Sequence, residues 1–104
     1  MWWENGFIQI KDNRLHLGGQ AASAIAEKYE TPLFVYSRNQ MAANYENLLK
    51  IFEKHFPFPV RIYYAMKANP HPGILKLFKQ KNAGIDAVSP GEIEAALDAS
   101  YPQE

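Results

Sequence analysis

Apolar residues along this chain fall into two regimes: short runs of β-forming residues, and longer stretches spaced at three and four. Phe7 to Ile10 and Leu15 to Leu17 flank the turn pair Asp12-Asn13, which predicts a β-hairpin ended by Gly18-Gly19. Gln20 to Tyr29 then places Ala21, Ala22, Ile25, Ala26 and Tyr29 on one helical face. Thr31-Pro32 stops that helix, because the residue before a proline is pushed out of the α region.

From Pro32 onward strands and helices alternate. Leu33 to Tyr36 reads as a continuously apolar strand of the kind covered on both faces. Ser37, with Gln40 three residues on, predicts the start of a helix. Along it Met41, Tyr45, Leu48, Leu49, Phe52 and Phe56 form an apolar stripe, ended by Pro57 and Pro59. Ile62 to Met66 is the second strand. Pro72 suits the first position of the next helix, Ile74, Leu75, Leu77 and Phe78 form its inward face, and Gly84 is its expected stop. Ile85 to Val88 is the third strand. Ser89-Pro90-Gly91-Glu92 opens the last helix with an N-cap serine, a proline at the first position and a glutamate three residues on. Ile93, Ala96 and Leu97 face inward.

Strands that start about 25 residues apart leave room for helical crossovers, which set them parallel. The fold class is therefore α/β, with three strand-helix units behind an N-terminal hairpin and helix. Three parallel strands are an incomplete object, since both edges carry unpaired backbone groups. A Rossmann-type sheet has more strands, and a (β/α)8 barrel needs about 250 residues. The expectation is that these 104 residues are the amino-terminal part of something larger.

Composition narrows the function. Eleven basic and eleven acidic residues give a formal net charge of zero, and nothing suggests the basic footprint of a nucleic-acid binder or attraction to an anionic membrane. Cys is absent, so neither a disulfide framework nor a thiolate metal site is available. No apolar run approaches the roughly 20 residues of a membrane span, and MWWENGF lacks the features of a secretory signal. The expected setting is cytoplasmic.

The chemistry concentrates in RIYYAMKANP, Arg61 to Pro70. A strand that ends on Lys67 sets an amine at the C-terminal mouth of a parallel sheet, where α/β proteins place their sites. Lysine is the side chain that forms Schiff bases. Alternation puts Lys67 on one face with Ala65 and Tyr63, and the small Ala65 leaves room for a planar ligand. Asp86 near the end of the neighbouring strand and Ser89 just after it reach the same rim. A carboxylate there could orient or neutralise a protonated amine. Each has a plainer explanation as well: Lys67 a solvated charge, Asp86 an ion pair or turn cap, Ser89 and Glu92 a reciprocal helix cap. His16, His55 and His71 have no partner at metal-ligand spacing, so no metal is expected.

YYAMKAN followed by GIDAVSPGEIEAAL resembles the amino-terminal region of the pyridoxal-phosphate-dependent decarboxylases built on an alanine-racemase-type barrel, and among them the diaminopimelate decarboxylases. TPLFVYS is similar to that family's first barrel strand. The resemblance implies that residues 1–30 belong with a β domain and that residues 31–104 are the first three βα units of a partial (β/α)8 TIM-type barrel. It implies pyridoxal 5'-phosphate as cofactor, Lys67 as the catalytic lysine holding it, and Ala65, Asp86 and Ser89 lining it, with Lys67 shielded from bulk solvent. The implied reaction releases carbon dioxide from an amino acid, meso-diaminopimelate giving L-lysine, in a homodimeric parent. Ornithine, arginine or carboxynorspermidine are alternative substrates, and a non-enzymatic cofactor carrier is another alternative. The family's phosphate loop, ring-stacking histidine and substrate arginines have no counterpart here, so the chain by itself is expected to be inactive.

Overall fold

A computed structural model describes residues 2–103. The chain divides into two compact units, Met1–Gln40 and Met41–Glu104.

In the first unit β1 (Ile8–Lys11), β2 (Arg14–Leu17) and β3 (Gln20–Ala21) form an antiparallel sheet in the order β1-β2-β3. Asp12 and Asn13 both take positive φ, 49° and 58°, the left-handed pair that a two-residue hairpin needs and that Asp and Asn tolerate. Ile8 pairs with Leu17 and Lys11 with Arg14. Gly18 and Gly19, at φ 57° and 83°, turn the chain back so that β3 adds to β2. The apolar pattern assigns Gln20 and Ala21 to the following helix, which instead begins as α1 (Ala22–Tyr29) and lies against β2 and β3. Ala22, Ile25 and Ala26 are its half-buried face, while Tyr29 is exposed with the Lys28 amine 4.9 Å from its ring centre.

Leu33 to Tyr36, expected as the first barrel strand, carries no strand, and all four side chains are exposed. A central parallel strand needs ladder partners on its edges and apolar cover on its faces; Phe34, 83% exposed, has no such cover. Two βα units therefore form among the described residues, not three. Ser37 does start α2 (Arg38–His55), its Oγ accepting the Gln40 N–H at 3.1 Å.

In the second unit α2 buries only Tyr45 of its expected stripe; Leu48, Phe52 and Phe56 stay exposed. Lys81 pairs with Glu46, tying α2 to the end of α3. The parallel pair β4 (Tyr63–Ala65) and β5 (Gly84–Asp86) is joined through a 3-10 turn (Met66–Ala68) and α3 (Pro72–Gln80). Tyr64 and Ile85 turn one face of the pair onto a core of Met66, Leu75, Ala96 and Ala99, with Ala87, Ala95 and Tyr101 packed around it. Met66 and Leu75 are fully buried. After α4 (Pro90–Asp98), the Tyr101 hydroxyl donates to the Leu75 carbonyl at 2.9 Å.

The stop of α3 is Asn82, not Gly84. Asn82 takes φ 58°, and the next N–H, that of Ala83, returns to the Phe78 carbonyl at 3.0 Å. Asparagine serves as the left-handed residue after a helix almost as glycine does. Gly84 has a different task, inside β5.

Candidate functional site

Register decides what the end of the parallel pair presents. Tyr63 lies opposite Gly84, Tyr64 opposite Ile85 and Ala65 opposite Asp86. Side chains alternate along each strand, so Ala65 and Asp86 share the face turned away from the core. Tyr63 lies on that face at 56% exposure, and Asp86 is exposed.

Lys67 stands two residues beyond the last ladder residue, in the middle of the 3-10 turn, and it is exposed. The expected shielding is absent. Its physical reason is that the ladder stops at Ala65 and Asp86 and only two strands form, so no sheet wall rises across from the amine among the described residues. The anchoring of the turn is nonetheless firm. Met66, just before Lys67, is wholly buried. Asn69, just after the turn, gives its carbonyl to the Tyr64 hydroxyl at 3.0 Å and its Oδ1 to the His71 N–H at 3.0 Å. His71 then caps α3, its Nδ1 accepting the Gly73 N–H at 3.0 Å. Neither Tyr64 nor His71 stood out in the sequence as a functional residue. The tyrosine looked like one more apolar strand residue, and the histidine like a loop residue beside prolines.

Ser89 is the N-cap of α4: its Oγ accepts the Glu92 N–H at 3.2 Å, and the Glu92 carboxylate accepts the Val88 N–H at 2.7 Å. The helix-cap explanation of these two residues is thus realised. It leaves the Ser89 hydroxyl hydrogen free to be donated, since the cap uses only the oxygen as acceptor.

Lys67, Ala65, Asp86 and Ser89 therefore lie at the C-terminal end of one parallel pair. A cavity of about 380 Å³, lined by Arg61, Tyr63, Gly84, Ala87, Ile93 and Tyr101 among others, includes none of them. Among the described residues no group of three or more His, Asp or Glu could hold a metal ion, and no helix is long and apolar enough to cross a membrane. The end with the lysine offers a primary amine, a carboxylate and a hydroxyl beside a small alanine. That donor set suits a planar aldehyde with polar substituents.

Residues 42–104 match the family of the pyridoxal-dependent decarboxylase, pyridoxal binding domain. The chain belongs to this family, and pyridoxal phosphate is its cofactor. Among curated relatives it is 36% identical over 95 residues to the diaminopimelate decarboxylase of Methanothermobacter thermautotrophicus, covering 90% of this chain and 22% of that protein. To the diaminopimelate decarboxylase of Pseudomonas fluorescens it is 38% identical over 92 residues, covering 88% and 21%. The crystal structure of diaminopimelate decarboxylase from Methanocaldococcus jannaschii superposes with a TM-score of 0.81 at 34% identity, over 92% of this chain and 23% of that one. A second structure of that enzyme, with a TM-score of 0.81 and 33% identity, was solved in co-complex with L-lysine and is covered to the same extent. The chain thus spans less than a quarter of the length of the relatives it matches.

Proposed function

We propose that this chain supplies the lysine-bearing part of a pyridoxal-phosphate-dependent carboxy-lyase that converts meso-diaminopimelate to L-lysine and carbon dioxide. The observation that carries the proposal is Lys67, an amine presented by an anchored turn at the C-terminal end of a parallel pair, in a chain of the pyridoxal-binding family. The diaminopimelate decarboxylase names of the relatives, and the L-lysine bound to one of them, support the substrate.

Lys67 would hold the cofactor covalently through its Nζ, and the residues around it would orient it. The cofactor, when bound, supplies an electron sink for the carbanion left by loss of the carboxylate. Ala65 keeps the face beside Asp86 low enough for a flat ring to lie there. Asp86 offers a carboxylate to the positive charge that gathers at such a site. Ser89 can donate its hydroxyl hydrogen without breaking its cap. Lys67, left exposed by this chain, gains its shielding in this reading from further strands, β4 and β5 being part of a (β/α)8 barrel. Residues 1–30 associate with a β domain, and the assembled enzyme is a homodimer.

The test is chemical. Intact protein is mixed with pyridoxal phosphate, reduced with borohydride and digested, and the modified peptide is mapped. A stable adduct on Lys67, abolished in Lys67→Ala, is expected. Modification spread over the surface lysines would overturn the assignment. Carbon dioxide release from meso-diaminopimelate, compared with ornithine, arginine and carboxynorspermidine, then tests the substrate.

A further inference from the structure

We infer that Tyr64 is a positioning residue for Lys67, an inference that rests on the function proposed above and deepens it. Tyr64 is the middle residue of β4, and its ring is stacked on Phe78 of α3, with centres 4.4 Å apart and planes at 28°. The ring thus faces the helices, on the side away from Ala65 and Asp86. From there its hydroxyl reaches past the end of the strand to the carbonyl of Asn69.

Lys67 lies between two fixed points made by consecutive core-facing residues. On its N-terminal side is the buried Met66 side chain; on its C-terminal side is the Asn69 carbonyl held by Tyr64. The Asn69 Oδ1 passes the restraint to His71, and His71 passes it to the first turn of α3. Beyond the turn, the Ile74 N–H donates to the His71 carbonyl. The 3-10 turn closes its own backbone over residues 66–68, and the tyrosine bond ties the residue after that turn back to β4. Lysine carries its amine on a flexible four-carbon stem. The position of its Cα then sets how often the amine meets a ligand at a useful distance, which governs the rate of any bond it forms.

Tyr64→Phe isolates the effect, because it keeps the ring stack on Phe78 and removes one oxygen. The intact protein and the variant are mixed with pyridoxal phosphate, quenched with borohydride at intervals, and the adduct at Lys67 is quantified. Amide exchange across residues 66–71 and the unfolding midpoint are measured in parallel. The variant is expected to form the adduct about threefold to tenfold more slowly, the span set by one net hydrogen bond. The pH profile of the rate should keep its shape, and exchange at Ala68 to Asn69 should quicken. A lowered unfolding midpoint with an unchanged rate of adduct formation overturns the inference and leaves the proposed function standing. No adduct at Lys67 in the unaltered protein overturns both. Should Tyr64→Phe not fold, 4-fluorophenylalanine placed at position 64, which keeps the shape of tyrosine and has no proton to donate, decides by the same comparison of rates.

Discussion

The ring of Tyr63 lies over the backbone of Gly84, its register partner, so closely that a Cβ at position 84 would stand 2.4 Å from two ring carbons. The absence of a side chain at 84 is what lets the ring lie flat on the sheet. The Arg61 guanidinium lies over the ring, 5.2 Å from its centre. A methyl group at 84 would meet ring atoms close to the point of attachment, so the whole ring must swing. Gly84→Ala should destabilise the second unit by about 1–3 kcal/mol, the range for overpacking. In a Tyr63→Ala background the same substitution should cost markedly less, as urea denaturation of the four variants would show.

Met66 links the core to the site, since it is fully buried and adjoins Lys67. Met66→Ala leaves a cavity among Leu75, Ala96 and Ala99 and should cost about 2–5 kcal/mol. Met66→Leu keeps nearly the same volume and should cost less than about 1.5 kcal/mol. Equal losses for the two variants, read from denaturation midpoints, would mean that the core does not fix this turn.

Elements with local chemistry were legible in the sequence. Asp12-Asn13 announced the hairpin because few residues accept two left-handed conformations in succession. Ser37 and Ser89 announced helix starts because their hydroxyls satisfy free N–H groups. Elements defined by distant partners were less so. Leu33 to Tyr36 has strand composition, but an apolar run records a need for cover without saying what supplies it. The same holds for the exposed half of α2. Gly84 reads as a helix stop because glycine marks both helix ends and close approaches, and only the position of Tyr63 separates the two. Within the site, Lys67 and Asp86 could be placed at one end of adjacent strands from spacing alone. The Tyr64–Asn69 bond could not, since a tyrosine in an apolar run gives no sign of where its hydroxyl goes.

Ser89 separates a structural from a ligand-facing role. Its cap on α4 predicts that Ser89→Ala lowers stability by about 1 kcal/mol, with Ser89→Asp largely restoring it. If the hydroxyl also donates to a bound cofactor, Ser89→Asp should restore the unfolding midpoint but not the retention of pyridoxal phosphate. Retention measured by equilibrium dialysis checks this, and full recovery in Ser89→Asp would confine the residue to the cap.

Tyr101 predicts how the second unit responds to alkali. Burial, with a smaller contribution from Tyr45, pushes its phenol from the ordinary 10.0 up to about 12. Its hydroxyl meanwhile donates to the Leu75 carbonyl. A folded state that keeps a proton the unfolded chain releases gains stability that is complete below pH 10 and is lost as pH rises from 10 toward 12. Tyr45 is raised in the same direction, again chiefly by burial, and adds to the slope. Tyr101→Phe should cost about 1 kcal/mol at neutral pH, the net worth of one hydrogen bond. Above pH 10 it should lose stability less steeply than the unaltered protein, so the two curves converge. Urea midpoints taken through that range test the sign directly: parallel curves would mean that the Tyr101 phenol titrates alike in the folded and unfolded chain.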